Sequence, residues 1–247
     1  MTDRSIVIAC ATVIEEMLPL MPAGMEHHVL EFGLHAYPAK LRETLQAKID
    51  AVVAGHPGEE LTILLGYGLC SQALVGVEAR GCTLVVPRVD DCIAIFLGSR
   101  SAYSQQAGAE PGTYYLTKGW VEVGETPFSE YERTVLKFGA ARAERIYKLM
   151  MANYKRLALI NTGNYDIDRY RDYARQTAAR FNLRYEEIAG SDTMVRKLLF
   201  GPWNDEFIVL PPGAIFTLEQ FLRKGMVSAP DGPAVERRPS SSLGSDQ

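Results

Sequence analysis

Two apolar runs in residues 61–92, TILLGYGLC and CTLVVPRVDDC, constrain the fold of this chain more than any other feature. Each run predicts a strand buried on both faces, as in a parallel sheet that helices cover on either side. Each run passes through a glycine or proline turn and delivers a cysteine, Cys70 or Cys92. Because ligands of open α/β sheets bind beyond the carboxyl ends of the strands, these two cysteines mark a candidate site.

The same succession of strand and helix recurs along most of the chain. Short apolar runs predict further strands at residues 5–10, 28–33, 156–160, 185–188 and 207–210. Helical spacing predicts helices at residues 13–20, 38–53, 71–79, 93–106, 127–154 and 168–181, and a last helix that ends at residue 200. Turn residues and clustered aromatics predict a loop at residues 109–120. Repeated alternation predicts an α/β fold with a mainly parallel, doubly wound, Rossmann-like sheet.

The 247 residues are enough for one sizeable α/β domain. We expect that domain to span residues 1–224, either as one body or as two lobes, 1–125 and 126–224, around a shared crevice. The last part of the chain, residues 225–247, is rich in proline, serine and glycine. With so little apolar surface to bury, this tail is predicted to be disordered.

Charge and hydropathy exclude several classes of protein. A formal net charge of −4 argues against a nucleic-acid-binding surface, which is normally basic. No run approaches the ~18 apolar residues of a membrane-spanning helix, and acidic residues follow the short apolar run at the N-terminus, unlike a secretory signal. We therefore expect a cytoplasmic protein. In that reducing compartment its four cysteines are thiols or metal ligands rather than disulfides.

Cysteine and histidine residues lie within about two residues of the ends of several predicted strands. Since the carboxyl ends of parallel strands share one edge of the sheet, we expect these side chains to emerge together: Cys10, His35, Cys70 and Cys92. Three thiolates and an imidazole suit a tetrahedral zinc ion, and three cysteines can also hold an iron–sulfur cluster. The alternative is that each cysteine packs as a small buried hydrophobe. Cys82 begins its strand and is interpreted as structural.

Other candidate residues follow the ends of predicted strands. Arg88 and Asp91, in the run RVDD, are candidates for a catalytic role. The arginine could bind a carboxylate or phosphate and the aspartate could transfer a proton. An internal ion pair that ties the turn together is the alternative. Tyr114, in the predicted loop, could stack on a flat cofactor, and the backbone of Thr162 and Gly163 could bind an anion. Local packing and ordinary turn chemistry explain these three residues equally well.

Several phrases of the sequence resemble one family, the domain of unknown function 1638. In chain order they are LGYGLC, VPRVDDCIAIFLGSR, PGTYYLTKGW, ALINTG and VLPPG, and the resemblance runs from about residue 6 to residue 213. It implies a bacterial or archaeal cytoplasmic protein. Because members are often encoded beside corrinoid-dependent methyltransferases and their corrinoid carrier proteins, it also implies a role in one-carbon metabolism. The family's pattern falls on Cys10, His35, Cys70, Arg88, Asp91 and Cys92.

Two classes of function remain open at this point. In the first, the protein carries zinc or an iron–sulfur cluster and acts in, or accessory to, corrinoid-dependent methyl transfer, with a corrinoid protein or a methyltransferase as its partner. Zinc could hold a thiol acceptor as thiolate, or a cluster could pass electrons to a corrinoid that the partner carries. In the second, the protein is metal-free and binds a small anion or docks a carrier protein. The sequence does not decide whether the protein is an enzyme.

Overall fold

The computed structural model describes residues 4–123 and 126–222, except for the side chain of Pro127. The predicted disordered tail at residues 225–247 lies outside the described residues. The strands are β1 (Arg4–Cys10), β2 (His27–Leu30), β3 (Leu61–Gly66), β4 (Thr83–Pro87), β5 (Thr113–Leu116), β6 (Arg156–Asn161), β7 (Arg184–Ala189) and β8 (Phe207–Leu210). The helices are α1 (Ala11–Met17), α2 (Pro38–Gly55), α3 (Cys92–Phe96), α4 (Arg100–Ala109), α5 (Lys118–Glu122), α6 (Pro127–Phe138), α7 (Ala140–Met150), α8 (Asp168–Arg180), α9 (Thr193–Phe200) and α10 (Leu218–Leu222).

The strands form two sheets. The larger sheet has the order β2-β1-β3-β4-β8, in which the first four strands are parallel and β8 is antiparallel to β4. The smaller sheet has the order β5-β6-β7 and is parallel throughout. The predicted mainly parallel α/β fold is confirmed. The antiparallel direction of β8 was not predicted.

The order of the larger sheet creates a topological switch point between β1 and β3. From β1 the chain moves to one side to form β2, and it then crosses to the other side of β1 to form β3 and β4. The connection that follows β1 therefore runs toward one edge of the sheet, and the connection that follows β3 runs toward the other edge. This leaves a crevice beyond their carboxyl ends, which is where ligands of open α/β sheets bind.

Helices cover both faces of the larger sheet. On one face α2 contributes an apolar stripe, together with two phenylalanines from the C-terminal segment: Leu41, Leu45, Ile49, Val52, Phe216 and Phe221. On the other face, side chains of α1, α3 and α9 form a second cluster. That cluster also contains Ala158, Ile160 and Ile188 from β6 and β7, so the two sheets share one core. Helix α8 packs on the remaining face of the smaller sheet.

The strands do not divide between the sheets at residue 125, the boundary expected for two lobes. Strand β5 precedes that boundary but pairs with β6, and β8 follows it but pairs with β4. Each of these strands joins a sheet made mainly by the other part of the chain.

Three predictions of local structure are wrong. Residues 109–120 contain β5 and the first part of α5 rather than a loop. The four-residue strand β5 forms by pairing with β6, which is distant in the sequence. Residues 127–154 form two helices that meet at Gly139, where φ is +81°. Residues 71–79 form turns rather than a helix. There Cys70, Ser71 and Gln72 have φ of +47°, +56° and +67°, a left-handed conformation that ends any regular helix.

Within the described ranges, the helices are too short or too polar to cross a bilayer.

Candidate functional site

A cavity of about 280 Å³ lies beyond the carboxyl ends of the parallel strands of the larger sheet. Its walls come from the segments that follow β1, β2, β3 and β4, with one side chain from α5. Four of the predicted metal ligands and one predicted catalytic residue line it: Cys10, His35, Cys70, Cys92 and Asp91. The structure therefore brings these five residues to one place, the crevice at the switch point.

Cys10 reaches the cavity as the last residue of β1. Its backbone is extended and it immediately precedes the first turn of α1. The Sγ atom of Cys10 lies 2.9 Å from the hydroxyl oxygen of Thr12, which also lines the cavity. This contact holds the half-buried thiol at the start of the helix.

Cys70 and Cys92 are brought together because the segments after β3 and β4 run side by side. The N–H of Leu69 donates to the carbonyl of Val89 at 2.8 Å, and the N–H of Cys70 donates to the carbonyl of Asp90 at 3.0 Å. Gly68 allows this approach, since a Cβ there would lie 3.0 Å from backbone atoms of Asp91. Cys92 begins α3, two residues beyond the second of these hydrogen bonds.

The left-handed turn at Cys70 is the least favourable backbone in the cavity wall. Each non-glycine residue in this conformation costs roughly 1–2 kcal/mol, and Cys70, Ser71 and Gln72 adopt it in succession. Residues held in such conformations cluster at binding and catalytic sites, where the surrounding structure imposes them. The first two residues of this turn, Cys70 and Ser71, line the cavity.

The thiols are near enough to influence one another's charge. Burial raises the pKa of Cys70 to about 12, and negative charge on Cys10 adds to the increase. Burial also raises the pKa of Cys92 well above its ordinary value, and negative charges on Cys10 and Cys70 raise it further. Both groups are therefore protonated at neutral pH unless a bound cation stabilises their thiolates.

The cavity has an acidic lining. Asp91 caps α3, with its Oδ1 accepting from the N–H of Ile93 at 2.9 Å, and burial raises the pKa of its carboxyl group. Glu31 also lines the cavity, whereas none of the described lining residues is a lysine or an arginine. Such a lining favours a cationic or neutral ligand over an anion.

Tyr67, which the sequence did not single out, contributes a buried hydroxyl to the same wall. The residue follows β3, is 2% exposed and lines the cavity. Its hydroxyl has no hydrogen-bond partner among the described residues. Burial raises the pKa of Tyr67 well above its ordinary value, and the charges of Cys10 and Cys70 raise it further. Tyr67 therefore shares the wall of one cavity with both cysteines.

Two residues that line the cavity make aromatic contacts. His35 lies in a short 3₁₀ helix (Leu34–Ala36), is exposed, and packs edge-on against Phe32 with ring centroids 5.2 Å apart. Trp120 comes from α5 and packs edge-on against Phe96 at 5.4 Å. Of the aromatic residues in the predicted loop, Trp120 therefore lies at the cavity, although in a helix.

Two of the predicted site residues lie elsewhere. Arg88 is not among the described residues that line the cavity. It follows β4, next to β8, and its guanidinium donates to the carbonyl of Phe207 in β8 at 3.2 Å. A catalytic role for Arg88 stays a prediction. Tyr114 lies within β5, where its ring packs against Tyr154 with centroids 5.6 Å apart. Pairing with β6 in the smaller sheet fixes Tyr114 there, and its binding of a flat cofactor stays a prediction.

Thr162 and Gly163 line a second, separate cavity of about 440 Å³ beyond the carboxyl ends of β6 and β7. The hydroxyl of Thr162 donates to Oε2 of Glu16 at 2.6 Å, and the N–H of Gly163 donates to the side-chain oxygen of Asn161 at 3.0 Å. Both groups are thus engaged within the protein. Binding of a cofactor by these two residues stays a prediction.

The potential metal ligands are not grouped for a single ion. Among residues 4–123 and 126–222, no three histidine, cysteine, aspartate or glutamate side chains are close enough together to hold one. The three thiols share a cavity, but their role as ligands stays a prediction.

Comparison with protein families identifies the chain. The model of a family described as protein of unknown function (DUF1638) matches residues 29–199, more than half of the sequence. The chain belongs to this family. The resemblance expected from the sequence is confirmed, and the match includes His35, Cys70, Asp91 and Cys92, while Cys10 precedes it. Comparison with curated proteins and with solved structures gave no match.

Proposed function

We propose that this DUF1638 protein binds a thiophilic metal centre, a zinc ion or an iron–sulfur cluster, through Cys10, Cys70 and Cys92. The observation that supports the proposal most strongly is that three adjacent parallel strands each deliver a thiol to one cavity at the switch point. His35, which is exposed and also lines the cavity, would supply a fourth ligand. Thiolates and imidazole are the donors that zinc and iron–sulfur clusters prefer.

The arrangement of the donors in the described part of the chain is not that of a site for a single zinc ion. Sulfurs that share one zinc ion must lie within about 4 Å of each other, whereas ligands of a cluster bind different irons and lie roughly 6–7 Å apart. No three donors in the described part of the chain are grouped for one ion. A single zinc ion would therefore require the donors to move on binding.

We further propose that the metal centre serves corrinoid-dependent methyl transfer in one-carbon metabolism. A cluster would supply electrons to a corrinoid carried by a partner protein, or zinc would hold a thiol acceptor as thiolate. Within the cavity, Asp91 would transfer a proton, and the increase in the pKa of its carboxyl group on burial supports this role. Support for the corrinoid partner or methyltransferase comes from the resemblance alone.

The alternative is a metal-free protein that binds a small molecule or docks a carrier. This alternative does not require the potential ligands of the described residues to move together. The acidic lining, with Glu31 and Asp91 and without lysine or arginine among its described residues, argues against an anion as that small molecule.

Metal analysis of anaerobically purified protein, with an absorption spectrum, tests the proposal. We expect iron with a brown chromophore, or near-stoichiometric zinc without colour. Cys70→Ala and Cys92→Ala should each abolish bound metal. Cys82→Ala is the matched control, because Cys82 is a buried cysteine just before β4, at the opposite edge of the sheet. Equal metal contents in the parent and all three variants, or a metal-free parent, would overturn the proposal.

A further inference from the structure

A cluster of charged and titratable side chains lies at the amino ends of the parallel strands, at the opposite edge of the larger sheet from the cysteine-lined cavity. Glu26, the residue before β2, is at its centre. Its Oε1 lies 3.0 Å from Nε2 of His28 in β2. Its Oε2 lies 2.8 Å from a guanidinium nitrogen of Arg4 and 3.2 Å from Nε2 of His56. Arg4 begins β1 and also contacts Glu59, two residues before β3, at 3.5 Å.

The contacts of His56 determine how many protons its ring carries. Nδ1 of His56 lies 2.8 Å from the backbone carbonyl oxygen of Val52 in α2. A carbonyl oxygen only accepts hydrogen bonds, so Nδ1 must carry a proton. The other ring nitrogen, Nε2, faces the carboxyl group of Glu26. It can donate to that group only if it carries a second proton.

Glu26 is ionised where it meets His56. Burial opposes its ionisation, but the hydrogen bond from His28 and the positive charges of its neighbours outweigh this and lower the pKa of Glu26 below its ordinary value of 4.5. A carboxylate, like a carbonyl, only accepts hydrogen bonds. Both ring nitrogens of His56 therefore act as donors, and the ring is an imidazolium. Its place at the carboxyl end of α2 also favours a positive charge.

His56 joins the two ends of one β–α unit. Glu26 precedes β2 and His56 follows α2, so their contact ties the start of the strand to the end of the helix. The other two partners of Glu26 do not do this, because His28 belongs to β2 itself and Arg4 belongs to β1. Between the strand and the helix, residues 31–35 form one wall of the cavity. The strand β2 is an edge strand of four residues, held by β1 on one side.

We propose that His56 and Glu26 form a proton-dependent latch, which holds β2 to the end of α2 while His56 is charged and releases it when His56 is neutral. Histidine is the side chain whose charge ordinarily changes between about pH 5 and pH 8. Loss of the Nε2 proton leaves a lone pair facing a carboxylate, so the hydrogen bond and the ion pair are both lost. Because β2 leads directly into residues 31–35, release of the latch loosens this wall of the cavity. The inference is independent of any metal centre.

The effect of the latch on stability has a defined sign. The folded protein holds the second proton of His56 against a carboxylate that the unfolded chain does not place beside it. The latch therefore stabilises the fold in the acidic part of this pH range, and its contribution is lost as the pH rises. A histidine that only packs against the end of α2 would show no such dependence on pH.

Ring ¹⁵N chemical shifts of the full chain test the charge of His56 directly. We expect protons on both ring nitrogens at pH 6, and loss of the Nε2 proton as the pH rises to 8.5. A ring that carries a single proton at pH 6 would overturn the inference, whether or not any variant folds.

His56→Gln removes the latch, since glutamine does not take up a proton. At pH 5.5 the variant should melt about 2–4 °C below the parent, and this difference should shrink markedly by pH 8.5. His27→Gln is the matched control, because His27 is an exposed neighbour in β2 whose ring contacts the backbone carbonyl of Met25 instead of a carboxylate. It should melt with the parent at both pH values. A difference between His56→Gln and the parent that stays constant with pH would contradict the latch.

Hydrogen exchange locates the effect in the chain. At pH 6, residues 27–36 should exchange several-fold faster in His56→Gln than in the parent, whereas at pH 8.5 the two proteins should exchange alike. In a Glu26→Gln background, His56→Gln should cause no further change at either pH, because the partner of His56 is already absent. Parent-like exchange of residues 27–36 at pH 6 would overturn the inference, and so would an effect of His56→Gln that persists without Glu26.

Discussion

At the scale of single residues, Glu16 on α1 is a carboxyl group whose surroundings favour its neutral form. The residue is 1% exposed. Its Oε2 accepts from Thr162, whereas Oε1 has no partner among the described residues. Burial raises the pKa of Glu16 above its ordinary value of 4.5, although the hydrogen bond from Thr162 and the charge of Lys118 oppose this. The folded protein therefore binds this proton more tightly than the unfolded chain does.

We expect Glu16→Gln to change the pH dependence of stability. Because the pKa is raised in the folded state, the contribution of Glu16 to stability is greatest below about pH 4.5 and declines as pH rises through the folded pKa. The glutamine variant does not ionise. The free energy of unfolding of the variant, relative to the parent, should therefore increase between pH 5 and pH 8, as measured by urea denaturation.

Glu132→Gln, an exposed position on α6, serves as the control and should leave the pH dependence unchanged. A difference between Glu16→Gln and the parent that stays constant with pH would show that burial does not affect the ionisation of Glu16.

At the scale of elements, the contact between α5 and α1 closes one side of the cysteine-lined cavity. It depends on Gly119, because a Cβ at this position would lie 2.4 Å from the carbonyl oxygen of Thr12. No side chain other than hydrogen fits there unless one of the two helices moves. Trp120, the next residue, lines the cavity only while α5 stays in this position.

Gly119→Ala is expected to destabilise the protein by about 1–3 kcal/mol, the usual range for overpacking. Displacement of α5 should also change the fluorescence of Trp120. The matched control is Gly108→Ala in α4, where a Cβ would meet nothing within 4 Å. That substitution should stabilise the protein by about 0.5–1 kcal/mol, since alanine is the better helix former. Urea denaturation measures both, and equal stabilities of the two variants would contradict the close contact.

At the scale of the whole molecule, the two sheets are joined by one apolar cluster. It combines side chains of α1, α3 and α9 with Ala158, Ile160 and Ile188 of the smaller sheet. The chain also crosses between the sheets twice. It leaves the larger sheet after β4 to form β5, β6 and β7, and it returns to the larger sheet with β8. Neither sheet can lose its strands without exposing apolar surface of the other.

We therefore expect the two sheets to unfold together. Thermal unfolding followed by far-UV circular dichroism and by tryptophan fluorescence should give coincident transitions. Ile188→Ala, in the shared cluster, should lower both midpoints together, with a loss of about 2–5 kcal/mol. Separate transitions, or a shift seen by only one probe, would show that the sheets are independent units.

Much of the candidate site could be predicted because its residues end strands. Cys10 ends β1, while Cys70 and Cys92 follow β3 and β4, and parallel pairing alone places such residues at one edge. The position of Arg88 could not be predicted in this way, because its partner, the carbonyl of Phe207, is more than a hundred residues away. Tyr67 was missed for a related reason: an unpaired hydroxyl has no signature in sequence.

The sequence by itself determined the α/β class, most of the strands and the edge at which the thiols gather. These features follow from local apolar patterns and from the common direction of parallel strands. The tertiary structure alone decided that β5 is a strand and that β8 runs antiparallel. It also decided that the strands form two sheets, which share one apolar cluster. These depend on pairing between segments far apart in the chain. A four-residue segment such as TYYL becomes a strand only when a distant partner satisfies its backbone hydrogen bonds.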